Sequence, residues 1–157
     1  MGRKADAEGE KTVASNRRAT HDYEIVDRYE TGLKLTGSEV KSLRAGRGSL
    51  AEAYARISGG EVWLDGFHIA PYEQGEKRGY DPIRPRKLLL HRRQIEELMH
   101  KTAERGWSLI PIRVYFVHGI AKLELGLGRG KRQYEKRQAV AERDSKREIE
   151  QAAGRRR

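Results

Sequence analysis

The residues of this 157-residue chain that could do chemistry are five histidines, scattered carboxylates and an excess of Lys and Arg. The histidines are His21, His68, His91, His100 and His118, and none stands in an H-x-x-x-H or H-E-x-x-H spacing. His91 and His100 fall on opposite sides of one helix, so they cannot share a metal. With no cysteine, disulfides, zinc knuckles and thiol catalysis are excluded. There is no G-x-x-x-x-G-K-[ST] phosphate loop, and Gly126-Leu-Gly-Arg-Gly130 leaves a strand without the apolar helix that a dinucleotide fold requires. A ribonuclease-like use of histidines with Glu30 is imaginable, but nothing in the sequence brings those groups together. No catalysis, cofactor or metal is expected.

The cations are the stronger signal. A net charge of +10 points to a polyanionic partner, nucleic acid before a membrane surface. No apolar run approaches membrane-spanning length, and the N-terminus lacks the hydrophobic centre of a secretory signal, so a soluble cytoplasmic protein is expected. Arg78, Arg84, Arg86, Lys87, Arg92 and Arg93 stand against one acid, Asp81. This is either a solvated basic loop or a phosphate site, and Pro82 and Pro85 favour the second by stiffening the backbone. Arg17 and Arg18 sit beside His21 and Tyr23, a mixture of cations and rings that suits unpaired bases, although Tyr23 could equally be core. Tyr134 lies among Arg129, Lys131, Arg132, Lys136 and Arg137. Glu30 could accept from a base edge or simply pair with Arg28 or a neighbour.

These groups need elements to hold them. Thr36 and Glu39 have capping-box spacing, Val40 and Leu43 lie one turn apart, and Gly46 is placed to end a helix. That helix shows Lys41 and Arg44 to the outside, and it is too short to stand without plugging a core. Tyr23, Ile25, Asp27 and Tyr29 alternate as a strand, with a bend or bulge allowed at Thr31-Gly32. Gly59-Gly60 joins two β-prone runs as a hairpin, and residues 72–85 read as a long loop. Arg86-Lys-Leu-Leu-Leu90 is a short buried strand, and His91 to Arg105 a helix with Ile95, Leu98, Met99 and Thr102 inward. Ile110, Ile112, Val114 and Phe116 alternate, with Pro111 demanding an edge or a bulge, and Ile120 to Leu127 completes a hairpin.

The expected fold is mainly β, a small closed antiparallel barrel of the oligonucleotide-binding kind, with about six strands and two to three helices. Residues 1–15 read as a mobile N-terminal arm and 16–130 as the RNA-binding barrel. Residues 131–157 are a basic tail without an apolar stripe, disordered when free and able to become helical on a charged surface.

The runs Asn16-Arg-Arg-Ala, Gly37-Ser-Glu-Val-Lys-Ser-Leu-Arg-Ala-Gly46, Pro71-Tyr-Glu-Gln-Gly75, Arg86-Lys-Leu-Leu-Leu-His91 and Gly130-Lys-Arg-Gln-Tyr-Glu-Lys-Arg137 resemble the small protein B family of SsrA-binding proteins. The resemblance implies binding of the transfer-RNA-like end of transfer-messenger RNA. It further implies delivery of the alanylated RNA, with elongation factor Tu, to stalled ribosomes for trans-translation. It assigns RNA contact to Asn16, Arg17, Arg18, His21, Glu30, Arg44, Arg84, Arg86, Lys87 and Leu89, with Lys41 beside Arg44. It assigns ribosome contact, in the messenger channel near the decoding region, to Gly130, Lys131, Arg132, Tyr134, Glu135, Lys136, Arg137, Arg143 and Lys146. Asp81-Pro-Ile-Arg-Pro-Arg86, Glu135 and Lys131-Arg132 depart from the family's usual residues while keeping charge. A monomer is expected. The rival reading is a ribosome-associated structural or assembly protein that binds RNA with the same barrel.

Overall fold

A computed structural model describes residues 9–74 and 78–131. In chain order its elements are β1 (Glu10–Ser15), α1 (Arg18–Asp22), β2 (Tyr23–Leu33), α2 (Gly37–Arg44), β3 (Gly48–Ser49), β4 (Tyr54–Ser58) and β5 (Glu61–Asp65). They continue with β6 (His68–Ile69), β7 (Arg86–Leu89), α3 (Arg92–Thr102), β8 (Trp107–Val117) and β9 (Ile120–Gly130). Seven strands form one sheet in the order β1-β8-β9-β2-β7-β5-β4, and β3 with β6 makes a separate two-stranded ribbon. The pairings are antiparallel.

The mainly-β class holds, but the closed six-stranded barrel is corrected. β1 and β4 are the two edges and do not pair with each other, so the sheet is open. Closure needs continuous hydrogen bonding around the ring. Here β4 faces the start of β8 across a groove lined by Tyr54, Arg56, Trp107 and Leu109. The mobile arm is also corrected over its last residues. Glu10–Ser15 pairs with β8, and Arg113 on β8 binds Glu10 and Thr12, so ladder bonds and one arginine hold a strand that has little apolar pattern. The expected tail beyond Lys131 lies outside the described residues.

The capped helix forms as read. Thr36 Oγ1 accepts from Glu39 N, Glu39 Oε1 accepts from Thr36 N at 2.9 Å, and Gly46 follows with φ +76°. Leu43 is wholly buried in the main core with Leu50, Leu64, Phe67, Leu88 and Leu98. In α3, Ile95 and Leu98 are buried, whereas Met99 is 45% exposed.

Two bulges correct the alternation read in β2 and β8. Val26 is an extra residue between the Ile25–Gly128 and Asp27–Leu127 pairs, and Ile112 between Pro111–Leu125 and Arg113–Glu124. Each bulge moves the apolar side of its strand to the other face of the sheet. Tyr29, Val114 and Phe116 therefore serve the main core, while Tyr23, Ile25, Ile110 and Ile112 build a second cluster around Ala19 of α1. Thr31-Gly32, where a bend was allowed, passes without a register shift. Pro111 takes the bulge and not an edge, since β8 lies between β1 and β9. Asn16 Nδ2 donates to the Pro111 carbonyl at 2.9 Å.

Candidate nucleic-acid interface

α2, the 80–85 loop and β7 meet at one carboxylate. Glu39 is wholly buried; its Oε1 also accepts from Arg84, and its Oε2 accepts from Arg86 Nε at 2.6 Å. Burial alone would push the Glu39 carboxyl up. The Arg84 guanidinium, the Thr36 amide and the Arg86 guanidinium outweigh it and hold the group below its ordinary value. Arg86 is itself fully buried and donates to the carbonyls of Phe67, Pro82 (3.1 Å) and Arg84 (3.3 Å). It therefore offers nothing to a phosphate in this structure, and the expected direct contact by Arg86 is replaced by an internal role. Arg84 keeps 35% of its side chain exposed.

Lys41 and Arg44 are exposed on α2. Lys41 Nζ lies 5.6 Å from the Tyr72 ring centre, and Arg44 lies 5.5 Å from that of Phe116 and reaches the Gly119 carbonyl at 3.5 Å. Lys87 is 3.5 Å from Glu61, and Leu89 is 50% exposed. Register puts Leu89 opposite Gly32, Gly32 opposite Lys122, and Lys122 opposite Tyr115. Residues directly opposite or two apart share a face. Glu30, Lys87, Leu89, Lys122 and Tyr115 therefore stand on the sheet face away from the main core. The Tyr115 phenol is pushed up to about 12, first by burial and then by the Glu30 charge.

The other expected group sits elsewhere. Arg17, Arg18 and His21 are exposed at α1, and His21 Nδ1 is 2.8 Å from Asp22. Asn16 is half-buried, its Oδ1 accepting from Arg18 N at 3.2 Å, so it shapes the entry to α1. α1 precedes Tyr23, which pairs with Gly130, whereas Gly32 pairs with Lys122 at the far end of the same ladder. At roughly 3.3 Å per residue, about 25 Å separates those ends. The structure thus divides the expected RNA residues into an α1 group and an α2–β7 group. Gly130 closes β9 beside the first group, next to Lys131; Arg132, Tyr134, Glu135, Lys136, Arg137, Arg143 and Lys146 lie outside the described residues.

Sequence reasoning missed a polar row that crosses the strands. Glu10, Arg113, Glu124 and Arg28 alternate in charge across β1, β8, β9 and β2, with contacts of 3.0, 2.8 and 3.0 Å. Arg129 was read as one of the cations around Tyr134, but its place 4.4 Å from the Trp107 ring centre, next to Gly130, was not foreseen. Cross-strand partners so distant in sequence leave no local signal. Among the described residues no group of His, Asp or Glu could hold a metal, and no helix is long and apolar enough to cross a membrane.

The open sheet and its two basic groups define a small β protein with a surface suited to nucleic acid. A family model described as SmpB protein matches residues 13–155, and the chain belongs to that family. It is 57% identical to the SsrA-binding protein of Acidothermus cellulolyticus over 148 residues, which cover 94% of this chain and 93% of that one. Identity to the SsrA-binding protein of Thermobifida fusca is also 57%, over 150 residues, covering 96% and 94%. A solved structure described as "tmRNA-SmpB: a journey to the center of the bacterial ribosome" is similar with a TM-score of 0.62 and 49% identity. That match covers 74% of this chain and 82% of that chain.

Proposed function

We propose that the chain binds transfer-messenger RNA through its folded part and brings it, with elongation factor Tu, to stalled ribosomes for rescue. The observation that carries this is family membership across residues 13–155. Relatives over nearly the whole length bear the name SsrA-binding protein, and a similar solved structure is described as a tmRNA-SmpB complex with the ribosome as its setting. In this reading Arg17, Arg18, His21, Lys41, Arg44, Arg84 and Lys87 meet phosphate or splayed bases. Glu30 reads a base edge, Leu89 packs beside it, and Asn16 and Arg86 hold the elements that carry the cations. Gly130 and the residues beyond it supply the ribosome contacts: residues 131–157 contain ten Lys or Arg against five Asp or Glu, about half the net charge in a sixth of the chain. The protein acts as a cytoplasmic monomer and positions RNA without making or breaking a bond.

Recovery of bound RNA from cells tests the reading. One transfer-messenger species in stoichiometric amount supports it, while bulk ribosomal RNA assigns the chain to ribosome structure or assembly. Loss of elongation factor Tu from a reconstituted delivery assay should lower tagging.

A further inference from the structure

Glu39 lies inside the fold and outside every surface assigned to RNA, yet it touches a residue that is on that surface. Both its oxygens are engaged, by Thr36 N and Arg84 on one side and by Arg86 on the other. The buried Arg86 engages only Oε2, and the Thr36 amide already occupies Oε1. Arg84 is partly exposed and has no need of an internal counterion. The two arginines and one carboxylate retain one positive charge, and Arg84 is the exposed member. The loop behind Arg84 is held too: Tyr80 Oη donates to the Ile69 carbonyl at 2.7 Å and Ile69 N to the Pro82 carbonyl at 3.0 Å. A long side chain already ordered before binding loses less entropy when it meets a phosphate.

We infer that Glu39 is a positioning residue for RNA binding, fixing the Arg84 guanidinium against α2 so that Arg84, Lys41 and Arg44 meet phosphates as one preformed set. The inference rests on the RNA-binding function proposed above. It extends that function to a buried carboxylate whose capping role alone would leave Arg84 unheld.

The test compares Arg84→Ala in the full-length wild-type chain and in Glu39→Gln/Arg86→Met, where the buried charges are removed together so that neither is left unpaired. The probe is a transcript of the transfer-RNA-like domain of transfer-messenger RNA. Arg84→Ala should lower affinity about tenfold in the wild-type chain and less than about twofold in the double variant. The slope of log affinity against log salt should fall by about 1 only in the former. Equal losses in both backgrounds overturn the inference, as does an Arg84→Ala variant that binds like wild type. If the wild-type chain does not bind this RNA, the proposed function itself fails. A second readout does not depend on the variants folding. In the free wild-type chain, side-chain 15N relaxation should show Arg84 Nε as ordered as Arg86 and far more ordered than Arg17 and Arg18. Fast motion at Arg84 would overturn the inference.

Discussion

Glu30 and Glu124 stand directly opposite each other on β2 and β9, but their charges are treated differently. Glu124 is 8% exposed and receives Arg28 at 3.0 Å and Arg113 at 2.8 Å. Glu30 keeps 57% of its side chain exposed and lies 4.0 Å from Lys122. Of the partners expected for Glu30, Arg28 goes to Glu124 instead, and the neighbour that meets Glu30 is Lys122, in a long and exposed pair. Glu30→Ala should therefore weaken RNA binding about tenfold, the loss of one base-edge contact, with the melting temperature changed by less than about 2 °C. Glu124→Ala should do the reverse, taking this carboxylate from Arg28 and leaving Arg113 to Glu10, and costing about 2–3 kcal/mol of stability. Calorimetry and a binding isotherm on both variants check the contrast. A large drop in melting temperature for Glu30→Ala would return that residue to a purely structural role.

The same contrast marks what was legible in the sequence. Short-range chemistry was: the Thr36–Glu39 box, the Gly59-Gly60 turn with φ +61° and +77°, and the Ile120–Leu127 strand all form as read. Contacts between distant segments were not. Glu39 announces its cap three residues back, but its hold on Arg84 and Arg86 spans 45 and 47 residues. The bulges at Val26 and Ile112 defeated the alternation rule because one inserted residue reverses the faces after it. Asp27, read in the alternation with apolar residues, is exposed and is met by Lys101 of α3 at 3.0 Å, a partner 74 residues away. Of the expected RNA residues, Arg86 failed as a surface cation because a basic run in sequence does not reveal which member turns inward.

Close packing explains the glycines of the Gly126-Leu-Gly-Arg-Gly130 run, which lacks the apolar helix of a dinucleotide fold. A Cβ on Gly128 would lie 2.6 Å from the Glu24 carbonyl oxygen, and one on Gly126 would lie 2.9 Å from Ile112 Cδ1. The glycines let Ile25 and Ile112 lie close to β9 beneath α1. Gly128→Ala should cost about 1–3 kcal/mol and lower the melting temperature by roughly 3–10 °C, since backbone and not a flexible side chain must yield. An unchanged melting temperature would reject that packing.

Leu43 tests whether α2 is seated as a plug. It is fully buried, and a Cβ built on Gly48 would lie 2.4 Å from its Cδ2, so little space surrounds it. Leu43→Ala should cost about 3 kcal/mol, the transfer loss plus a cavity that the adjoining strands cannot close. Denaturant unfolding should show a lower midpoint with an unchanged m-value.

Acid should loosen the structure at two carboxylates. Burial pushes Glu124 up, but the hydrogen bonds from Arg28 and Arg113 outweigh it, and Glu124, like Glu39, titrates below the ordinary 4.5 in the folded chain. As pH falls the unfolded chain takes up those protons first, so the stabilisation is complete above about 4.5 and is lost as pH drops through the folded values. Urea midpoints should be level from pH 7 to about 5.5 and fall below about 4.5. Glu124→Gln should start lower at pH 7 and fall less steeply, and an equal fall in both proteins would remove Glu124 from the account.

Gly130 is the last residue of β9 and pairs with Tyr23, the first residue of β2. A chain cut after Gly130 therefore keeps each described strand pairing, both apolar clusters and the two basic groups on the folded part. What it loses is residues 131–157, with about half of the net charge. If RNA binding resides in the folded part and ribosome contact in the tail, the truncated chain should unfold at the same temperature and bind transfer-messenger RNA within about threefold of the full chain. It should nevertheless tag no peptide on ribosomes stalled at a message end. Charge alone would give a different result. If the tail acts only as a general binder of polyanions, its removal lowers RNA affinity by a large factor in low salt, and the gap closes as salt rises. Measuring affinity at two salt concentrations alongside tagging separates the two. Parallel loss of RNA binding and tagging would show that the extension and the sheet form one binding unit.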